Sequence, residues 1–404
     1  MKRVWLILCL VVSAGCRRAP VPGMADVPNL SVAPRAAYQD VSPRWSADGK
    51  RIAFLRATPD RKHQLFIADA TLKHARSLLE PEVLTPDRRL GSSWERYTSR
   101  DTLAFSPDGR WLIFPRADWL ADDKGERLPG VGLWLYDFTT RKAKPLAVHP
   151  SRYKGEFIYY RYPQWSPDGK RVAFVGEGVF GQRGIFLALL KREGSADIVS
   201  LFDRGRDSDW GTWEPTAKAG ERNALTFRQG IRRTISVPVT ETLRRIESGK
   251  EGATRTGEFW RMTPAECARL QSDPSQPVQP HTGHLAWSPN GNALAFTFTP
   301  DPLDFARYEI WTVARDGKNA HRVSPRDGKG YLAPVWLGNE RIAALRKAAT
   351  GYDVASWDMQ GGAPKTMGRV ESADCDWSPD RKRVVFATSR RNEKPTTLGM
   401  LEAR

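Results

Sequence analysis

The sequence predicts an all-β chain folded as a β-propeller, a ring of small antiparallel sheets called blades. A ten-residue motif recurs along the chain, its copies start 41 to 74 residues apart, and further short apolar runs follow most copies. Four short strands per repeat of this length are typical of one propeller blade. Fifteen Trp and 16 Phe supply the large apolar side chains with which neighbouring blades pack.

The clearest copy of the motif, residues 165–174, reads WSPDGKRVAF. Its first half, Ser166 to Gly169, predicts a tight turn, because Pro presets φ, Asp forms hydrogen bonds with nearby backbone groups and Gly adopts positive φ easily. In its second half Val172 and Phe174 fall on one face and Ala173 on the other, the period of a half-buried strand. The unit is therefore strand, tight turn, strand.

The spacing of the other copies bears on the number of blades. They begin at Trp45, Phe105, Trp287, Trp336 and Trp377, the copy at Trp336 being decayed. The interval from 165 to 287 is about twice the others, which predicts a hidden unit that starts at Trp213 and has its second strand near residues 224–227. We therefore predict seven blades, with six as the alternative if the weak fourth unit is an elaboration.

Two segments need separate predictions. The last unit lacks a strand, and residues 29–33 would supply it, sealing the ring and hiding an exposed edge. Residues 240–280 break the repeat as an insertion, in which 241–248 and 264–270 are helix-like and 259–263 form the fourth strand of blade four. Such insertions lie in loops on one face of a repeat protein, either as a binding surface or as decoration.

The recurring W-S-P-D-G-[KR]-x-[IVL]-[AI]-F motif resembles the repeat of TolB-like β-propellers, a repeat also found in the propeller domains of prolyl oligopeptidase relatives. The resemblance covers residues 41–404. It implies the fold, whereas propellers serve binding, scaffolding and catalysis alike. The family also suggests envelope protein complexes as the class of partner.

The N-terminus predicts export. Residues 1–15 combine a basic start with a short apolar run, as in a secretory signal peptide. The small residues before Cys16 resemble the bacterial lipoprotein cleavage box, which implies a lipid on Cys16; ordinary cleavage nearby is the alternative. Residues 16–40 would be a tether, holding the propeller in the cell envelope on the periplasmic side, with the outer membrane favoured in a Gram-negative cell.

The net charge of +17 indicates acidic counterparts. For an exported protein, anionic lipid, polysaccharide or acidic protein surfaces are better candidates than nucleic acid, and a well-solvated basic surface is the alternative. We expect a monomer. The segment Tyr159, Tyr160, Arg161 and Tyr162 is a candidate partner-contact loop, because Tyr and Arg are favoured at binding hot spots; the alternative is a strand with core tyrosines.

The residues predict no catalytic site, metal or cofactor. No G-x-S-x-G elbow occurs, and the predicted propeller leaves no residues for a hydrolase domain. His281 and His284 are a close pair, but a zinc site needs three or four ligands. The prediction is a non-catalytic protein-binding or scaffold module, not an enzyme. The alternative is a propeller enzyme (lyase or hydrolase) or a binder that acts on anionic envelope polysaccharide.

Overall fold

The computed structural model describes residues 38–57, 63–79, 102–121, 127–147, 157–178, 182–191, 194–200, 206–215, 224–231, 241–248, 254–261, 281–300, 304–388 and 397–403. In these ranges the chain forms 27 strands and one short 3₁₀ helix, Phe305–Arg307. All of them belong to one unit, Ala36–Arg404. No helix in the described ranges is long and apolar enough to cross a membrane.

The strands follow one another in groups, each paired antiparallel in chain order. The first three blades are β1 (Gln39–Trp45), β2 (Arg51–Ala57), β3 (His63–Asp69) and β4 (Arg76–Ser77); β5 (Ala104–Phe105), β6 (Trp111–Ala121), β7 (Arg127–Asp137) and β8 (Lys142–Ala147); and β9 (Phe157–Trp165), β10 (Arg171–Gly178), β11 (Arg183–Leu190) and β12 (Ala196–Ser200). Blades 2 and 3 are also bridged at Val131 and Tyr159.

The remaining blades follow the same plan. They are β13 (Arg206–Trp213), β14 (Ala224–Ile231), β15 (Glu241–Ser248) and β16 (Thr254–Arg261); β17 (His281–Trp287), β18 (Ala293–Thr299), β19 (Glu309–Ala314) and β20 (His321–Arg322); β21 (Tyr331–Trp336), β22 (Arg341–Lys347), β23 (Tyr352–Asp358) and β24 (Gly361–Val370); and β25 (Cys375–Trp377), β26 (Arg383–Ala387) and β27 (Leu398–Glu402). The predicted all-β propeller is confirmed.

The fourth blade decides between six and seven. Strands β13 to β16 form a complete four-stranded sheet, so the hidden unit at Trp213 is a blade and the described residues form seven blades. The helix prediction for residues 241–248 is wrong, because Glu241–Ser248 is strand β15, paired with β14 and β16. Sheet pairing on both sides overrides local helix propensity here. Residues 264–270 lie outside the described residues.

Neighbouring blades share apolar cores. Seven clusters of buried side chains each draw residues from two adjacent blades. In blade 3, Val172 and Phe174 pack toward blade 2, whereas Ala173 and Val175 pack toward blade 4. The half-buried strand predicted for this motif is therefore buried on both faces, because a blade packs on each side of it.

The repeated tryptophan also links blades through hydrogen bonds. The indole N–H of Trp165 donates to the carbonyl oxygen of Ala104 at 3.1 Å, and Trp213 donates to that of Gln164 at 3.0 Å. Trp336 donates likewise to Ala286 at 2.9 Å. Each acceptor is the residue just before the aromatic residue of the preceding motif, so the motif spacing sets the contact between blades.

The ring closes where blade 7 meets blade 1. Trp45 and Phe54 of blade 1 share a buried cluster with Val385 and Leu398 of blade 7. The guanidinium of Arg383 donates to the carbonyl oxygen of Ala70 at 3.0 Å. Within the described residues blade 7 has three strands. The predicted closing strand at residues 29–33 lies outside them.

Candidate functional site

The aspartates of the repeated turn have a structural role. In the turn that starts at Ser166, the hydroxyl donates to Asp168 Oδ1 at 2.5 Å and accepts the backbone N–H of Arg171 at 3.0 Å. The same carboxylate accepts the N–H of Lys170 at 3.0 Å. Equivalent bonds occur in the turns that contain Asp48, Asp108 and Asp380, and with Asn290 in place of Asp. These contacts explain the repeated aspartates by a structural role in the turn, with no catalytic role needed.

The tyrosine-rich segment is part of strand β9 and not a loop. Tyr160 is 3% exposed and packs edge-on against Phe174 and Phe186, with ring centroids 5.6 and 6.0 Å apart. Arg161 forms an ion pair with Glu177. The expected contact loop is thus corrected, since Tyr160 belongs to the core between blades 2 and 3. A partner contact of Tyr159, Arg161 or Tyr162 stays a prediction.

Tyr162 and His284 occupy one recurring backbone position. Each lies three residues before the motif aromatic and has positive φ, 54° and 47°, as do Ser42 and Ala333. The first strand of these blades shifts register at this point, which is a β-bulge. His284 and His281 lie on strand β17 and not on a loop. No group of three or more potential metal ligands occurs among the described residues.

A cleft of about 470 Å³ opens between blades 5 and 6, within the size range of small-ligand sites. Its walls come from the 3₁₀ helix, from the connection before β21 and from the turn after β22. It is lined by Phe305, Ala306, Gly328, Lys329, Lys347, Ala348, Ala349, Asp353 and Arg369. Three of these side chains are cationic and one is anionic.

The single acid among the described lining residues, Asp353, already has ion-pair partners. Asp353 accepts hydrogen bonds from Arg346 at 2.9 Å and from Arg369 Nε at 3.0 Å, one on each oxygen. Burial would raise the pKa of Asp353, but the two guanidinium groups hold it below its usual value. Asp353 is therefore ionised at neutral pH and serves to position the two arginines.

Backbone contacts hold the walls of the cleft together. The N–H of Tyr331 donates to the carbonyl oxygen of Tyr308 at 2.7 Å, and that of Lys347 donates to Gly330 at 3.1 Å. Gly330 has φ +60° and approaches the carbonyl of Phe305 so closely that no side chain fits there. The ring of Phe305 stacks on Tyr308 at 5.2 Å. The cleft is thus preformed by packed backbone.

Sequence reasoning did not find this cleft. Lys329, Lys347 and Arg369 lie on three separate segments of the chain, and no motif joins them. The lipid-attachment residue predicted from the sequence, Cys16, lies outside the described residues and stays a prediction.

Comparisons with known proteins place the fold. No protein-family model matches the sequence, and no curated protein matches it. A puromycin-hydrolysing peptidase from Mycobacterium tuberculosis is similar in structure, with 15% identity, a TM-score of 0.59, and coverage of 92% of this chain and 52% of that chain. A prolyl endopeptidase structure has 13% identity, a TM-score of 0.51, and coverage of 91% and 50%. The likeness shows a β-propeller.

A TolB protein from Acinetobacter baumannii is also similar, with 15% identity, a TM-score of 0.42, and coverage of 91% of this chain and 77% of that chain. This chain spans about half the length of the two peptidases that it matches. The prediction that the chain is not an enzyme is corrected by these findings, because the similar structures include peptide-hydrolysing enzymes. The β-propeller fold predicted from the sequence is confirmed by the two peptidase structures.

Proposed function

We propose that this propeller acts in peptide hydrolysis, as the part that receives peptides for a hydrolase. The observation that supports this function is the match of 92% of the chain to about half of a peptide-hydrolysing enzyme. A ring of blades closed by packed side chains is a rigid body, and a pre-organised site binds its ligand with a smaller loss of conformational entropy.

The chemistry of the hydrolysis would come from outside the motifs of this sequence. The 404 residues contain no G-x-S-x-G elbow, which is the turn that exposes the nucleophilic serine in α/β-hydrolases. A hydrolase of that type would therefore contribute its serine from other sequence, on the same polypeptide or on a partner. The role proposed for the propeller is substrate admission and selection.

To test this function, the purified protein is incubated with a mixture of short peptides and with puromycin. Mass spectrometry detects cleavage, and equilibrium dialysis detects peptides retained by the protein. The proposal expects short peptides to be retained or cleaved, while a folded protein of similar charge is neither. If heat-unfolded protein retains the same peptides, or if the native protein retains and cleaves none, the proposal fails.

The proposed location is the cell envelope, with Cys16 as the lipid-bearing residue. The support is the basic and apolar start of the sequence followed by small residues and Cys16. Mass spectrometry of the mature N-terminus in a bacterial host tests it. A diacylated or triacylated Cys16 is expected, and a mature protein that begins at another residue would exclude the anchor.

A further inference from the structure

The cleft between blades 5 and 6 has two lysines without an acidic partner. Among the described residues neither Lys329 nor Lys347 forms an ion pair, while Asp353, the only acid lining the cleft, is bound by Arg346 and Arg369. The ammonium of Lys347 lies 4.6 Å from the ring centre of Tyr352. Both ammonium groups are thus available to an anion from outside, in a concave site that concentrates positive potential.

The rest of the lining is apolar. Phe305, Gly328 and three alanines complete the wall, and the ring centres of Phe305 and Tyr352 lie 6.4 Å apart. A ligand that fits must combine an anionic group with an apolar group. A peptide residue with a carboxylate has both, and one or two such residues match a cleft of about 470 Å³.

The lining favours a peptide over an acidic sugar. Sugar hydroxyl groups need acceptors as well as donors, and Asp353, the only acceptor side chain among the described residues of the lining, already has a guanidinium on each oxygen. A carboxylate needs donors alone, which Lys329, Lys347 and the half-exposed Arg369 supply. Charge-assisted hydrogen bonds of this kind are the stronger ones in proteins.

We propose that the cleft formed by Phe305, Lys329, Lys347 and Arg369 is a subsite for the carboxylate of a peptide. The proposal rests on the proposed function and specifies the chemical class of its substrate. The carboxylate can come from the C-terminus of the peptide or from an acidic side chain. Because backbone hydrogen bonds preform the walls, the ligand would bind without rearrangement of the cleft.

The test compares the wild-type protein with the double variant K329Q/K347Q. The matched control is K365Q, since Lys365 is exposed on the same strand as Arg369 and does not line the cleft. The probes are one labelled peptide with a free C-terminus, the same peptide amidated, an amidated peptide with a terminal Glu, and a uronate oligosaccharide. Fluorescence anisotropy measures the dissociation constants, and circular dichroism confirms that each variant is folded.

The expected result is that amidation weakens binding roughly tenfold, the loss of about one charge-assisted hydrogen bond. This preference should disappear in K329Q/K347Q and persist in K365Q. Binding of the amidated Glu peptide would identify a side-chain carboxylate as the source; failure of that peptide would identify the C-terminus. Either result supports the subsite if the preference for the carboxylate disappears in the double variant.

Other outcomes overturn the inference. If the double variant keeps the carboxylate preference, the cleft is not the site. If the free peptide, the amidated peptide and the amidated Glu peptide all bind equally, the carboxylate subsite is wrong while the proposed peptide function stands. If no peptide binds, the proposed function fails first, and binding of the uronate probe that depends on the two lysines would assign the cleft to glycans instead.

Discussion

The carboxylate of Asp374 accepts the backbone N–H of Ser42 at 2.7 Å, across 332 residues of sequence. Asp376 accepts the N–H of Trp45 in the same way at 2.8 Å. These bonds tie the first strand of blade 1 to β25 of blade 7 and to the residue just before it. Side chains, in addition to the apolar cluster of Trp45 and Val385, thus join the two ends of the ring.

We expect Asp374→Ala to destabilise the protein by about 1 to 3 kcal/mol, because the buried N–H of Ser42 loses its acceptor. Urea denaturation measures the change. Asp358→Ala is the control, as Asp358 is exposed on β23, and it should shift stability by less than about 0.5 kcal/mol. Equal stability of the two variants would show that the side-chain bonds contribute nothing to closure.

The repeated tryptophans allow a paired measurement. Trp336 donates to the carbonyl oxygen of Ala286, whereas the buried indole N–H of Trp287 has no hydrogen-bond partner among the described residues. Replacement by Phe removes similar volume at both positions. We therefore expect Trp336→Phe to cost about 1 kcal/mol more than Trp287→Phe, the usual net contribution of one hydrogen bond.

Thermal and urea unfolding of both variants would measure this difference. The comparison holds if the slope of the unfolding free energy against urea concentration is the same in both variants. If Trp287→Phe is the more destabilising of the two, the packing of the ring and not the indole hydrogen bond accounts for the repeated tryptophan.

Arg381 occupies the glycine position of the last turn motif with φ +60°. The equivalent residues of other copies are Gly49, Gly109, Gly169 and Gly291, with φ between 67° and 69°. A side chain in this region costs roughly 1 to 2 kcal/mol, so Arg381→Gly should stabilise the protein by about 1 kcal/mol after the entropy cost of Gly. Differential scanning calorimetry would show a higher Tm.

The reverse change is the matched control. Gly169→Ala should lower the Tm, and backbone strain alone would be responsible, because a Cβ there would be 3.8 Å from Pro107 and would meet no clash. A neutral effect of both substitutions would mean that the turn tolerates the left-handed conformation with any residue.

Acid should destabilise the protein through Asp137. Burial would raise its pKa, but hydrogen bonds from Arg110 and the backbone of Thr139 hold it below the ordinary value. A carboxyl with a lowered folded pKa stabilises the fold above its unfolded pKa and loses that contribution as pH falls through the folded pKa. Asp353 behaves likewise. The Tm should thus fall steeply below about pH 4.

Asp40 changes the pH dependence of stability in the opposite direction to Asp137. Burial is the main cause that raises its pKa, despite the hydrogen bond from Arg56. The contribution of Asp40 to stability is therefore lost as the pH rises from its unfolded pKa through its folded pKa. Calorimetry of the wild type and Asp137→Asn between about pH 3 and about pH 7 measures the balance. Asp137→Asn should make the fall of the Tm at low pH less steep. An unchanged fall would show that Asp137 does not cause the acid destabilisation.

Much of the fold could be predicted because its information is local. Ser166, Asp168 and Gly169 specify a turn by their own hydrogen bonds and backbone freedom, and the interval between copies indicated the fourth blade at Trp213. Where the local signal was weak, prediction failed. Residues 241–248 have helical propensity, yet they are strand β15, because β14 and β16 offer backbone partners that no local window contains.

The candidate site was decided by the tertiary structure. Lys329, Lys347 and Arg369 share a cleft only because two blades bring a connection, a turn and an outer strand together. By contrast, Tyr160 looked like a surface contact and is core, because burial depends on the neighbouring blade. The sequence alone determined the repeat and its turns, which depend on neighbours along the chain, and it left the choice between six and seven blades open. Ring closure and the cleft depend on contacts between distant residues, so only the folded ring decided them.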